Sequence, residues 1–353
     1  MSRPIQAQID LSALQNNLRV ARRSTSSRIM AVIKANAYGH GLQRVANALS
    51  DAEGLALLDI RDAMQLREAG SRQTILLLEG FFSREDLPII AEYELATVVH
   101  SAQQLAMLEA YPRRNALQVW LKINSGMNRL GFALNEVPSV MERLKLHRAV
   151  KDVTLMTHFS HADEADGVAI QLEKFNGITE SYRRPRSLAN SAALLRYPAT
   201  QGDWVRPGIM LYGASPFADT SAQQLGLRPV MTLHSELISV REIQAGEQVG
   251  YAGLFRADTA MRIGTVACGY ADGYPRHAAT GTPILVNGQK VRTLGRVSMD
   301  MLAVDLSMVK DARVGSGVTL WGEGLPVEEV ARAAGTISYE LLCAVAPRVP
   351  LAY

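Results

Sequence analysis

Lys34 closes the apolar run Ile29-Met30-Ala31-Val32-Ile33, and a loop carrying Tyr38, Gly39 and Gly41 follows at once. A primary amine delivered out of buried sequence loses hydration. Its pKa falls, and the neutral form becomes available as a nucleophile or a base. Other polar groups recur in the same situation. Lys122 stands near the end of Val119–Ile123, with Arg129 shortly after it, and His158 follows Val153–Thr157. Asn190 and Ser191 follow Ser187–Ala189, while Arg206 and Gly208 precede Ile209–Tyr212. Taken singly, a lysine there reads as solvated charge and His158 as a satisfied core histidine. Polar groups converging from five loops on one face are harder to treat as separate accidents.

Three of these features point to a phosphate. Ser191 before Ala192-Ala193-Leu194-Leu195 puts a hydroxyl and free N–H groups at a helix start. Gly208 permits close backbone approach nearby, and both lie where barrels commonly hold phosphate. Ser191 by itself reads equally well as a plain helix cap. A desolvated lysine beside a phosphate site points to pyridoxal phosphate. Arg206, in Asp203-Trp204-Val205-Arg206-Pro207-Gly208, has two readings. It is a surface residue held by Asp203, or it faces a pyridine nitrogen. Guanidinium has no proton to give, so that nitrogen would stay unprotonated and the electron sink weak. A weak sink suits proton exchange better than transamination or decarboxylation.

The elements that must position these groups read as short continuous apolar runs alternating with amphipathic segments. The strands expected are Ile29–Ile33, Leu55–Leu58, Ile75–Leu78, Leu95–Val99, Val119–Ile123, Val153–Thr157, Ser187–Ala189 and Ile209–Tyr212. Continuous rather than alternating runs belong to strands covered on both faces. Ser83 is expected to cap the helix running on from Glu85, and Ser101 the helix around Gln103–Ala110. Eight strands with intervening helices predict an N-terminal (β/α)8 TIM barrel, ahead of an open doubly wound sheet. Beyond about residue 226 the texture changes to β-rich sequence, with an Asn287-Gly288 hairpin signal and two closing helices, Val327–Ala334 and Ser338–Val345. The expected division is a barrel over residues 1–225 and a mostly β domain over 226–353. Ile5, Ala7 and Ile9 alternate, so a strand at about 4–10 is assigned to the second domain.

Bulk properties narrow the function classes. The 353 residues are 48% hydrophobic and 20% charged, with net charge +3, which is an ordinary globular composition. Arg22-Arg23 and Arg183-Arg184-Pro185-Arg186 lack interleaved aromatics and read as solvated loop charge, so no nucleic-acid partner is expected. Cys268 and Cys343 are too few for a zinc site or a disulfide framework. Both are expected as core thiols in a reducing compartment, with no metal. Met1–Asp10 lacks a signal-peptide core, and no run approaches the roughly 20 apolar residues of a membrane helix. A cytoplasmic protein without membrane contact is the expectation.

Ala31-Val-Ile-Lys-Ala-Asn-Ala-Tyr-Gly-His-Gly41 resembles the cofactor-lysine motif of bacterial alanine racemases. The resemblance continues through Leu121–Gly131, Thr157–Ser160, Ala189–Ala192, Trp204–Ile209, Val249–Tyr251, Gly269–Arg276, Gly295–Asp300 and Ile337–Glu340. It implies the fold-type III barrel, pyridoxal 5'-phosphate, and a homodimer whose active sites are shared between subunits. Lys34 would hold the cofactor and act as base on D-alanine; Tyr251 of the partner subunit would be the base for L-alanine. Arg129 and the backbone of Met299 would hold the substrate carboxylate. Tyr38, Ser191, Gly208, Ile209 and Tyr339 would bind the phosphate, and His158 and Arg206 the ring. Lys122 matches a lysine carried as a carbamate. A tyrosine ordinarily titrates near pH 10, so Tyr251 would need a lowered pKa or a relay. One departure is Asn124, where the family usually has aspartate; it bears on carbamylation and on Arg129. The alternatives are a broad-specificity amino-acid racemase, a basic amino-acid decarboxylase of the same fold, and a non-catalytic cofactor-binding barrel. The β domain with its Tyr251 argues against the last.

Overall fold

A computed structural model describes residues 3–112 and 117–353. The first strand, β1 (Gln6–Ile9), leads into the helix Leu11–Arg23. The Asp10 carboxylate caps that helix by accepting the N–H groups of Ser12 and Ala13 at 2.8 and 3.0 Å. Eight short parallel strands then close into a barrel. They are β2 (Arg28–Val32), β3 (Gly54–Leu57), β4 (Thr74–Leu77), β5 (Ala96–Val99), β6 (Leu117–Lys122), β7 (Val150–Met156), β8 (Arg186–Ser187) and β9 (Trp204–Val205). Gly54–Leu57 and Ala96–Val99 are buried along their whole length, because helices cover the outside while side chains fill the inside.

The eighth strand departs from expectation. Ile209–Tyr212 is a 3-10 turn, and closure is made by β9, which pairs with both β8 and β2. Pro207 has no N–H to extend the ladder beyond β9, although its carbonyl accepts the Val32 N–H at 3.0 Å. All four residues of Ile209–Tyr212 are buried, and an apolar run satisfies the core in either conformation. Ser83 also fails as a cap: the helix is Asp86–Glu92, and the Asp86 carboxylate accepts the N–H groups of Phe82 and Ser83. Ser101 does cap Ala102–Glu109.

The strand β10 (Met231–Ile243) organises the β-rich part. It pairs with β1, with Gly317–Trp321 and with Met261–Val266, so the eight-stranded sheet folds back on itself. Asn287 and Gly288 take φ of 50° and 75° between Pro283–Val286 and Gln289–Leu294, the two positive values a type I′ hairpin needs. Cys268 is buried, whereas Cys343, at the end of the helix Ser338–Cys343, is exposed; the backbone of that helix end lies against Gly39 while the thiol stays outside the core. Among the described residues no helix is long and apolar enough to cross a membrane, and no cluster of potential ligands could hold a metal.

Candidate active site

Lys34 leaves the C-terminal end of β2 after a single residue, Ile33, and the next turn is unusual. Ala35, Asn36, Ala37 and Tyr38 take φ of 54°, 52°, 53° and 52°. None is glycine, and left-handed geometry costs an L-residue roughly 1–2 kcal/mol, so the turn stores on the order of 4–8 kcal/mol. It persists because it is tied down on several sides. Ala37 donates its N–H to the Ile33 carbonyl, Gly39 to that of Ala35 and Gly41 to that of Asn36. The Asn36 side-chain oxygen accepts the Leu42 N–H at 2.8 Å. The reversed hand turns the Tyr38 ring onto Tyr212, with centroids 4.5 Å apart. Its hydroxyl then lies against Gly208, where a Cβ would come within 2.7 Å of it.

Lys34 and Tyr38 line a cavity of about 750 Å³ at the C-terminal mouth of the barrel. Lys122, Arg129, His158, Ser191, Arg206, Gly208, Ile209 and Tyr339 line it too. Among the described residues, its four strongly basic side chains, Lys34, Lys122, Arg129 and Arg206, share the lining with two carboxylates, Glu79 and Asp163. Such a surplus favours an anionic occupant and discourages protonation within the cavity. Burial, and then the neighbouring Arg129, lower the Lys34 pKa. Burial and the Arg206 and Arg129 cations bring Lys122 down to about 8.

Arg206 is fixed from behind. It donates to the Ser187 hydroxyl at 2.6 Å, to the Thr157 carbonyl at 2.6 Å and to the Leu188 carbonyl at 3.1 Å. Every partner is neutral, and burial lowers its pKa to about 10. The surface reading is excluded, because Asp203 instead accepts the Arg186 N–H at 2.7 Å. Alongside, the Ser191 hydroxyl accepts the Gly208 N–H at 2.8 Å. The buried Ile209 N–H has no acceptor among the described residues, an arrangement proteins seldom leave unanswered.

Arg129 sits on a loop closed by paired bonds between Asn124 and Phe132 and between Phe132 and Lys122, each 2.9 Å. The Asn124 carboxamide is spent within that loop. Its oxygen accepts the Gly126 and Asn128 N–H groups, and its nitrogen donates to the Asn128 side chain at 2.9 Å. An aspartate could accept those two bonds, and the Asn128 carboxamide could turn to donate the third, so this loop accommodates either residue at 124.

Tyr251 and Met299 do not line the cavity. They stand on the β-rich part, 68% and 53% exposed. The Met299 carbonyl accepts the Ala271 N–H at 2.9 Å, while its own N–H has no acceptor among the described residues. Three titratable cavity residues escaped the sequence reading: Asp163, Glu79 and His100. Glu79 lies just past the end of β4, and His100 directly after β5. Gln104 links them: it accepts the His100 N–H and donates to the Glu79 and Phe81 carbonyls, all at 2.9 Å. Their signal is the same strand-end position that marks Lys34 and His158, on two strands whose ends were not counted.

His40, His100 and His158 all have lowered pKa values, His40 to about 4, with burial as the first cause in each. The unfolded chain therefore binds more protons than the folded one below the usual histidine pKa of 6.5. Stability is expected to fall as pH drops from about 6.5 toward 4, with His40 alone contributing about 3 kcal/mol over that span. The melting temperature measured between pH 7 and 5 should decline steadily; a flat profile would contradict the buried-neutral assignment.

Barrel, β-rich sheet and basic cavity suit an enzyme acting on an anionic ligand, and comparison with known proteins gives the class as a racemase, an isomerase. Residues 9–216 match the alanine racemase N-terminal domain and residues 230–353 the alanine racemase C-terminal domain. The chain is 61% identical to the alanine racemase of Nitrosospira multiformis and 58% identical to that of Nitrosomonas eutropha, each over 99% of both chains. The crystal structure of the biosynthetic alanine racemase of Pseudomonas aeruginosa superposes with a TM-score of 0.97 at 48% identity, covering 99% of each chain. The structure of the alanine racemase of Acinetobacter baumannii gives 0.94 at 40% identity with the same coverage. The chain belongs to the alanine racemase family.

Proposed function

We propose that the enzyme interconverts L-alanine and D-alanine with pyridoxal 5'-phosphate, as a cytoplasmic homodimer whose sites are shared between subunits. It would supply D-alanine for peptidoglycan or serve alanine catabolism. The division into residues 1–225 and 226–353 belongs to the same proposal, the barrel holding the cofactor and the β-rich domain reaching the partner. The observation that carries the reading is the cavity itself: a lysine with lowered pKa beside a buried arginine that meets only neutral acceptors.

The residues present fit the cofactor. The unsatisfied Ile209 N–H, the Ser191 and Tyr38 hydroxyls and Gly208 form a cradle suited to a phosphate, which Tyr339 borders. Arg206 has donors for a pyridine nitrogen and no carboxylate to offset its charge, and His158 lies at hand for the ring. When bound, pyridoxal phosphate supplies an electron sink that acidifies the substrate α-hydrogen. Lys34, whose charged form burial disfavours, takes or returns the proton on the face it occupies. Inversion requires a second group on the opposite face, and the Tyr251 hydroxyl of the partner subunit takes that role. Arg129 and the free Met299 N–H, the latter also from the partner subunit, hold the substrate carboxylate.

Lys122, with its pKa near 8 among cations, is suited to carry a carbamate, whose negative charge would answer Arg129 and Arg206. Lys122→Ala is then expected to raise KM for alanine about tenfold or more, a loss of roughly 1.4 kcal/mol of substrate positioning, while the bound-cofactor absorbance stays. An unchanged KM would contradict that role.

Chiral product analysis over a panel of L-amino acids tests the function itself. D-alanine from L-alanine, with little product from larger side chains, is expected. Racemisation across the panel would favour the broad-specificity reading, and amine with CO2 from a basic amino acid would favour a decarboxylase.

A further inference from the structure

His40 lies between the two glycines that follow the left-handed turn, and it is fully buried. Its Nδ1 is 3.1 Å from the Ala37 carbonyl oxygen and 2.8 Å from that of Tyr38. Carbonyl oxygens only accept, so Nδ1 must carry the proton and donate to both. Nε2 is then a bare lone pair, with no partner among the described residues. The tautomer is fixed by geometry alone. Burial, which holds the pKa at about 4, keeps the ring neutral at ordinary pH.

The two carbonyls belong to the last residues of the left-handed turn. Among the described residues no backbone N–H reaches the Tyr38 carbonyl, and His40 is its donor. The imidazole also packs against the Tyr212 ring, with centroids 4.7 Å apart, and Tyr212 in turn stacks on Tyr38. The Tyr212 hydroxyl is anchored on the Val32 carbonyl at 3.0 Å, inside β2. Ring, turn and strand are thus one connected unit, and Lys34 and Tyr38 are its two outlets into the cavity.

We propose that His40 is a positioning residue: its Nδ1–H, shared between the Ala37 and Tyr38 carbonyls, holds the left-handed turn that presents Lys34 and Tyr38 to the cavity. The proposal rests on the reading of those two residues as cofactor-binding. In a relaxed right-handed turn the Tyr38 ring would leave Tyr212 and its hydroxyl would leave Gly208. The side chain that prevents this touches neither substrate nor cofactor.

Three substitutions separate positioning from simple filling of space. Asparagine places an amide N–H close to where Nδ1 stands; glutamine places it further out, near Nε2; leucine fills volume without a donor. Apoprotein of each variant is titrated with pyridoxal phosphate, affinity being read by equilibrium dialysis and attachment to Lys34 by visible absorbance. Melting temperature of the apoprotein reports folding. His40→Asn should bind within a few-fold of wild type, while His40→Gln and His40→Leu lose about tenfold or more, the effect of leaving a buried carbonyl unpaired. If leucine prevents folding, the asparagine-against-glutamine contrast decides alone. Equal affinity in all variants would overturn the proposal, as would an asparagine variant that melts like wild type but binds no better than glutamine. Wild-type apoprotein that takes up no pyridoxal phosphate would instead sink the cofactor reading on which the proposal stands.

Discussion

Lys34→Ala is expected to abolish the visible absorbance of the bound cofactor and to lower racemisation by at least about four orders of magnitude. The size follows from the two tasks assigned to one side chain. Loss of a general base alone removes roughly 10²–10⁴ in rate, and loss of the covalent anchor adds to it. Arg206 and the Ser191–Gly208 cradle remain in place, held by Ser187, Thr157 and one another. The variant should therefore still bind pyridoxal phosphate non-covalently and fold normally. A variant that keeps its colour, or that turns over at more than a per cent or so of the wild-type rate, would remove Lys34 from the chemistry.

Tyr251→Phe should give a different signature. Net racemisation falls equally in both directions, because two enantiomers have equal free energies and no enzyme can alter that ratio. Exchange of the α-hydrogen with solvent is not bound in this way. Lys34 still reaches D-alanine, and an amine exchanges its protons with water, so deuterium should enter D-alanine without inversion. From L-alanine, exchange should drop by about a hundredfold or more, the contribution of one general base. Tyr251 is exposed on the β-rich part and away from the cavity of its own chain, so the substitution should leave cofactor absorbance and melting temperature near wild type. Equal suppression of exchange from both enantiomers, measured by NMR in D2O, would count against opposed bases.

Much of this arrangement was legible in the sequence, for physical reasons. Short continuous apolar runs suit strands buried on both faces, and reading the residues around their ends placed Lys34, Lys122, His158, Ser191 and Arg206 on a common face. Ile209–Tyr212 misled because all four residues are buried, and burial reads the same in a strand and in a 3-10 turn. The decisive signal was Pro207, which has no N–H for a ladder. The left-handed turn at Ala35–Tyr38 was not legible at all. Asparagine visits the left-handed region more readily than most residues, but alanine and tyrosine do not, and the reversed hand is held by contacts that only the fold forms, with Tyr212 and His40 among them. Asn124 appeared from sequence as a missing charge. In the folded loop its carboxamide bonds Asn128 and the Gly126 N–H, contacts that the sequence does not reveal. Glu79 and His100 were within reach of the strand-end rule, and Gln104, which ties them together, was not, since an internal helix glutamine carries no local mark.

The claim that ties these points together is that each active site takes its two bases from different subunits. Neither Lys34→Ala nor Tyr251→Phe homodimers should racemise alanine at a useful rate. A heterodimer of the two, isolated through different affinity tags, contains one site with both defects and one with neither. It should recover about half of the wild-type activity per dimer, one intact site in two. A confirmed heterodimer no more active than its parents would place both bases in a single chain and contradict the account.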